Sequence, residues 1–201
     1  MNPFGMDSFS SFPEVNVDIY TAAYRISGTV RTRFTRVADI LNQQSGSHLT
    51  VEHATVSEFA DAMSTIGAPS ALVAIEEILV MIAPDLGGPS GGDMRIQKRA
   101  VRAQLSMPPL RLTGAIHVPA GSRPVDGLLN VPDRFMPMTD ATLASGAYPE
   151  LERSVAALAL RRDRAHVLLV ADDEHPDELL ADVLDETTAA AWLRADEEAG
   201  V

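Results

Sequence analysis

The chain has 201 residues and a formal net charge of −12, with 46% hydrophobic and 22% charged residues. This composition is typical of a packed protein, and the absence of cysteine excludes disulfides, thiolate metal sites and cysteine nucleophiles. Because like charges repel, so acidic a chain disfavours nonspecific binding to the phosphate backbone of nucleic acid.

Residues 1–13 are predicted to form a flexible N-terminal arm. The stretch MNPFGMDSFSSFPE places Phe4, Phe9 and Phe12 among serines and prolines, a setting that does not favour a core helix. Aromatic side chains in such an arm often dock on another chain, although a ring tucked against its own domain explains them equally well. The stretch lacks the basic start and apolar core of a signal peptide, and no apolar run reaches the roughly 20 residues of a membrane span. We therefore expect a cytoplasmic protein.

Residues 14–86 are predicted to form a first β-rich unit. VNVDIY alternates apolar and polar residues with the period of a strand that buries one face. YRISGTV, HLTVEHATV and SALVAIEEILVMIA continue this pattern and are rich in Val, Ile and Thr. A short helix is expected at TRVADILNQ, between the second and third strands.

A second unit is predicted at residues 94–173, after a Gly/Pro linker at 87–93. The glycines and prolines of LGGPSGG mark the boundary. VRAQLSM, LRLTGAIHV, FMPMTDATL, SVAALALRR and HVLLVA read as strands, and RPVDGLLN reads as the short helix.

The two units are related as repeats. When VNVDIYTAAYRISG is placed over VRAQLSMPPLRLTG, Gly28 coincides with Gly114, and further on Asn42 coincides with Asn130 at the ends of the two helices. LTVEHATV then matches MPMTDATL. Agreement of order, spacing and apolar pattern indicates an internal duplication; two unrelated β-rich units that share only alternation are the other reading.

Five short strands that bury one face usually close into a small barrel, and the second copy resembles the Sm-like barrel of the LSm and Hfq proteins. VRAQLSMPPLRLTGAIHV stands where that family has its first hairpin, RFMPMTDATL resembles the third strand, and LALRRDRAHVLLV resembles the closing pair. Both copies are also similar to an uncharacterised bacterial domain family. The resemblance implies a mainly β fold of two tandem Sm-like or SH3-like five-stranded small barrels, each with a short inserted helix, plus C-terminal acidic helices.

The motifs for RNA binding depart from the family pattern. There, an Asn in the third-strand loop and an Arg-Gly in the closing motif contact the base. Here the loop holds Pro132, Asp133 and Arg134, and Arg161 and Arg162 are followed by Asp163. Matching ALVAIEE with AALALRR places Glu76 and Glu77 at the corresponding position of the first copy, where they would repel phosphate. Binding of RNA or a small ligand by Arg161, Arg162 and Arg164 is kept as the alternative function.

Residues 174–201 are predicted to form acidic helices. Their apolar stripe includes Leu180 and Leu184, and Trp192 lies beyond a break at Thr187–Thr188. An apolar stripe of this kind is expected to be buried, either against the chain's own sheet or against a partner protein.

No catalytic pattern is found. There is no Gly-x-Ser-x-Gly nucleophile elbow, GGPSGG is not followed by the Lys of a phosphate loop, and no two histidines have helical metal-ligand spacing. We expect no enzyme activity, no cofactor and no metal site.

The preferred function is that of a non-catalytic assembly, scaffold or accessory subunit. Small barrels leave strand edges that must be paired or covered, and the strands expected at the outside, ILVMIA and HVLLVA, carry few charges. We expect a homo-oligomer or a subunit of a larger protein complex, with nucleic acid as an unlikely partner. The partner contact would use the barrel edges together with Phe4, Phe9, Phe12, Leu180, Leu184 and Trp192.

Overall fold

The computed structural model describes residues 12–61, 63–86, 98–129 and 132–170, and for residues 127–129 it describes the backbone alone. Phe4, Phe9, the linker at 87–93 and the predicted helices at 174–201, with Leu180, Leu184 and Trp192, lie outside these residues.

The chain is mainly β. In the first half, the elements are β1 Glu14–Tyr20, β2 Tyr24–Arg31, α1 Val37–Asn42, β3 His48–Glu58, β4 Thr65–Ala74 and β5 Val80–Ile82. In the second half, they are β6 Lys98–Met107, β7 Leu110–Pro119, α2 Pro124–Leu129, β8 Phe135–Ala144, β9 Arg153–Arg161 and β10 Val167–Val170. Within the described ranges, no helix has the length and apolarity that crossing a bilayer requires.

The strands form one antiparallel sheet of ten, in the order β10-β6-β7-β8-β9-β5-β1-β2-β3-β4. The expectation of two separate closed barrels is corrected here, because the sheet is open and continuous through both halves. The join is made by β5 and β9, where Val80 pairs with Leu160 and Met81 with Ala159. We call this β5–β9 pairing the inner junction.

The order of strands is the same in both halves, with β5-β1-β2-β3-β4 matching β10-β6-β7-β8-β9. Gly28 and Gly114 occupy matching points on second strands, and the register with the third strand shifts at each of them. A Cβ on Gly28 would lie 2.6 Å from the carbonyl oxygen of Glu52, and one on Gly114 would lie 2.9 Å from that of Thr139. The predicted equivalence of these glycines is therefore confirmed, because both leave room for the same close backbone approach.

Two buried cores lie along the sheet, and each takes side chains from both halves. Leu79, Val80 and Ile82 of the first half join the core built mainly from the second half. Phe135 and Ala159 of the second half join the core built mainly from the first. Alternate side chains of a strand point to opposite faces, so β5 and β9 can contribute to both cores at once.

The outer strands are β4 and β10. The expectation for HVLLVA is confirmed, because it contains β10, but ILVMIA is not at an outer edge. It contains β5, whose three residues are all buried between β1 and β9. The early part of β4, TIGAP, was not read as a strand because glycine and proline are depleted in strands. Pro69 is compatible with the strand because β4 is an edge, where a missing backbone N–H costs no ladder bond.

Candidate interaction surface

The inner junction shows how this chain covers a strand edge. Val80, Met81, Ala159 and Leu160 are all buried where β5 meets β9. The backbone N–H of Arg161 also donates to the carbonyl oxygen of Leu79 at 2.8 Å. Backbone pairing and apolar burial therefore act together along a short contact.

An ion pair ties the two halves beside this junction. Arg153 on β9 donates from Nη1 to Asp18 Oδ2 on β1 at 2.7 Å and to the Tyr20 hydroxyl at 3.2 Å. Asp18 Oδ1 also accepts from Ser27 Oγ at 2.6 Å and from Arg25 Nη2 at 2.9 Å. Burial opposes ionisation of Asp18, but the hydrogen bonds from Ser27, Arg153 and Arg25 outweigh it and lower the pKa of this carboxyl. Asp18 is thus an anion with its acceptor positions in use.

A side-chain amide makes a second tie between the halves. Asn42, the last residue of α1, donates from Nδ2 to the Phe135 carbonyl oxygen at 2.7 Å and accepts from the Phe135 N–H at 2.9 Å. Both backbone groups of Phe135 are satisfied by one amide. Since Phe135 begins β8, this contact fixes the end of α1 against the second half.

Arg161 makes a third tie. Its Nη1 donates to the carbonyl oxygen of Ile75 at 3.1 Å, and its Nε and Nη2 donate to the two carboxylate oxygens of Asp163 at 2.8 and 3.0 Å. The hydrogen bond from Arg161 lowers the pKa of Asp163. Arg161 is only 8% exposed, so its guanidinium is engaged by the protein rather than presented to solvent.

The register of the strands also corrects the alignment of Arg161 with the first half of the chain. Leu49 pairs with Val73 as Met136 pairs with Leu160. Arg161, one residue beyond Leu160, therefore corresponds to Ala74 and not to Glu76 or Glu77. Of the alternative RNA-binding residues, Arg162 is partly buried and Arg164 is exposed.

The two outer edges have exposed apolar side chains. On β4, Ile66 is 66% and Leu72 is 70% exposed, and on β10 Val167 is 51% exposed. Transfer of apolar surface from water is favourable, and an unpaired strand presents free N–H and C=O groups to a partner. We call these strands the β4 edge and the β10 edge.

A cavity of about 360 Å³ lies beside the β4 edge. Its walls come from the β1–β2 turn, β2, β3 and β4, and include Tyr24, Ile26, Val56, Leu72 and Val73. The lining is mostly apolar, so the cavity suits an aliphatic side chain better than a charged ligand.

A second depression, of about 380 Å³, is polar and lies between β1, β2 and β3, where it includes Asp18, Arg25, Ser27 and His53. Its charges are already paired through Asp18. Among the described residues, no group of three His, Asp or Glu side chains could hold a metal ion.

Of the predicted partner-binding residues, Phe12 is the one within the described ranges, and it is half exposed. Sequence reasoning missed Ile66, because the start of β4 was not recognised as a strand. It missed Leu72 because ILVMIA, and not this strand, was expected at an outer edge. It also missed Asp18 and Arg153. Sequence reasoning also did not single out Asn42 as a contact residue, although its coincidence with Asn130 in the two copies was a signal that could have done so.

Comparison of the chain with protein-family models, with curated proteins and with solved structures finds no match.

Proposed function

We propose that this protein is a non-catalytic assembly subunit that joins other protein chains through the outer strands of its sheet. The observation that carries the proposal is the position of Ile66, Leu72 and Val167, three exposed apolar side chains on the two strands that end the sheet within the described part of the chain. Strand addition at such an edge supplies backbone hydrogen bonds, and apolar side chains supply affinity and register.

We further propose that the halves are two Sm-like units in tandem. Three features of the backbone support this: the same strand order, the same close approach at Gly28 and Gly114, and one non-glycine residue with positive φ at the same place in each third strand. Those residues are His53, with φ of 51°, and Asp140, with φ of 48°. Both lie next to the bulge where the second and third strands shift register.

Binding of RNA or a small ligand is the weaker candidate. Arg161, one of its three residues, is held by Asp163 and Ile75, and the net charge of −12 repels phosphate. The assembly function is favoured because it uses the surfaces that are exposed.

The test is recovery of the tagged full-length chain from an extract of its own cells after mild crosslinking, together with light scattering of the purified chain. We expect a stoichiometric protein partner, either another protein or further copies of the chain. Leu72→Arg, at the β4 edge, should reduce this recovery at least tenfold.

Val125→Arg is the matched control, because Val125 on α2 is 54% exposed and lies away from both outer strands. It should retain the partner. A strict monomer at every concentration, with no protein recovered from the extract, would show that the proposed function is wrong.

A further inference from the structure

We infer that the cavity beside the β4 edge is a binding site for a small aliphatic amine, whose hydrocarbon body lies against the apolar wall and whose ammonium group faces Glu77. The cavity has a volume of about 360 Å³ and a mostly apolar lining. Among the described residues that line it, Glu77 is the one with a charge. The amine site goes beyond the proposed assembly function, because it requires no partner chain.

The cavity lies where the core of the first half is open at one end. Ile26 and Val73 belong to that core and also line the cavity. Val56 and Ala71 pack against the same core and are partly buried. Tyr24, two residues before Ile26 on β2, is 43% exposed. Apolar surface therefore continues from the core into the cavity, and a hydrocarbon that enters removes this surface from water.

The equivalent place in the second half is filled by a larger side chain. Because Leu160 matches Val73, Leu158 matches Ala71, two residues earlier on each strand. Leu158 is fully buried. An alanine side chain lacks the branched end of leucine, so Ala71 leaves space that the second half does not have.

The third strands differ between the halves in the same way. Val56 pairs with Ile66 on β4, and at the equivalent place Leu143 pairs with Arg153 on β9. Leu143 is fully buried in a core that also contains Leu79 of the first half. Val56 is only partly buried, since β4 ends the described sheet and no described strand lies beyond it. The cavity is therefore specific to the first half and is not a feature of the repeated unit.

The mouth of the cavity is acidic. Glu77 is exposed, and Glu58, also exposed, pairs in register with Tyr24. Neither carboxylate makes an ion pair with a described residue, and no described lysine or arginine lines the cavity. The charge of Arg161 is close enough to interact with Glu77, but its guanidinium donates to Asp163. Glu77 is thus available to pair with the cation of a ligand.

An amine fits this combination better than an alcohol or a carboxylic acid of the same length. An alkylammonium group has three donors and no acceptor, and its charge is opposite to that of Glu77. The half-exposed ring of Tyr24 offers the cation a second favourable contact. A dry apolar cavity of about 150 Å³ holds benzene, so a cavity of about 360 Å³ has room for a hexyl chain with its head group.

The test uses hexylamine, hexanol and hexanoate, which share a hydrocarbon chain and differ in the head group. Each is titrated into the isotope-labelled full-length chain, and binding is measured from the shifts of backbone amide signals in NMR spectra. We expect hexylamine to bind with a Kd of about 1 mM and to shift the amides of Ala23, Ala71 and Val73, which line the cavity. Hexanol should bind about threefold more weakly, because it loses one exposed ion pair. Hexanoate should bind about tenfold more weakly, because like charges repel.

Two variants with matched controls locate the site. Ala71→Leu introduces the side chain of its counterpart Leu158 into the cavity, and should weaken hexylamine binding about tenfold. Ala156→Leu adds the same side chain at an exposed position of β9 and should bind hexylamine as the wild type does. Glu77→Gln should abolish the preference for hexylamine over hexanol, whereas Glu76→Gln, at the exposed neighbouring residue, should retain it. Because Glu77 is exposed, its substitution tests the site even if Ala71→Leu does not fold.

Four outcomes would overturn the inference. They are the absence of a saturable shift with hexylamine, undiminished binding by Ala71→Leu, an unchanged preference for hexylamine in Glu77→Gln, and hexanoate binding as tight as that of hexylamine. Tighter binding of Nα-acetyl-lysine amide than of hexylamine would show that the site receives a lysine side chain of a protein, so the free amine would be wrong as its ligand. The assembly function has a separate readout, the recovery of a protein partner, and it stands or fails independently of these titrations.

Discussion

The inner junction and the two outer edges use equivalent strands, but they carry different side chains. At the inner junction, Arg153 and Arg161 are engaged with Asp18, Asp163 and a backbone carbonyl. At the β4 edge, the same two places hold Ile66 and Ala74. The two halves share their strand order and the close backbone approach at Gly28 and Gly114, whereas the side chains at these two equivalent places differ. At the inner junction, the Arg153–Asp18 ion pair and the hydrogen bond from Arg161 to the Ile75 carbonyl oxygen join the two halves.

The largest effect is expected where the duplicated backbone itself is disturbed. Gly28→Val would place a Cβ 2.6 Å from the carbonyl oxygen of Glu52, and neither strand can move away freely. We expect a loss of about 3 kcal/mol in the free energy of unfolding, measured by urea denaturation. Gly67→Val on β4 is the matched control, because a Cβ there meets nothing within 4 Å. Equal effects from Gly28→Val and Gly67→Val would contradict the close backbone approach at Gly28.

Loss of the ion pair beside the inner junction is expected to have the next largest effect. Asp18→Ala leaves Arg153 and Ser27 without their common acceptor, which we expect to cost about 2 kcal/mol of unfolding free energy. Glu14→Ala, on the same strand, removes only an exposed pair with Arg31 and should cost less than about 0.5 kcal/mol. Chemical denaturation of both variants checks this, and a smaller effect at Asp18 than at Glu14 would count against the tie.

The same carboxyl predicts a dependence on pH. Since its pKa in the folded chain is below the ordinary 3.8, ionised Asp18 stabilises the fold above pH 3.8, and this contribution disappears as pH falls through the lowered value. The difference in stability between wild type and Asp18→Asn should therefore be constant from pH 5 to 7 and shrink in acid. A stability difference that grows as pH falls would show that folding raises the pKa of Asp18 instead of lowering it.

Asn42→Ala tests the amide tie between α1 and β8. It removes two hydrogen bonds to the backbone of Phe135, and we expect a loss of about 1.5 kcal/mol. Asn16→Ala is the control, because the Asn16 side-chain amide donates to Asp85 in an exposed position. Hydrogen exchange of the Phe135 amide should accelerate in Asn42→Ala alone.

The smallest expected effect concerns nucleic acid. At physiological salt, we expect no binding of single- or double-stranded RNA or DNA tighter than about 10 μM, in a shift assay with labelled oligonucleotides. Changing the exposed Arg164 and its neighbour Arg162 to Ala should leave the assay unchanged. A salt-sensitive shift that this double variant abolishes would favour the alternative function.

Local pattern was sufficient for most of the strands and for the match between the two halves. Alternation in VNVDIY specifies which face of β1 is buried, since side chains alternate with a period of two in any strand. Gly28 and Gly114 were recognisable as equivalent because each stands three residues after an arginine, Arg25 in one copy and Arg111 in the other. TIGAP was missed because proline is tolerated in a strand mainly at an edge or a bulge, and nothing local in the sequence reveals which strand is the edge.

The order of the strands and the ties between the halves depend on tertiary structure. Asp18 and Arg153 are 135 residues apart in the chain, and Asn42 and Phe135 are 93 apart. Pairing at such distances depends on register and on the order of strands in the sheet, which no alternation pattern specifies. The same order put β5 inside the sheet and left β4 and β10 with one neighbour each. Exposure of Leu72 and Val167 is therefore a property of the assembled sheet, because an apolar residue in a strand is buried or exposed according to what lies beside it.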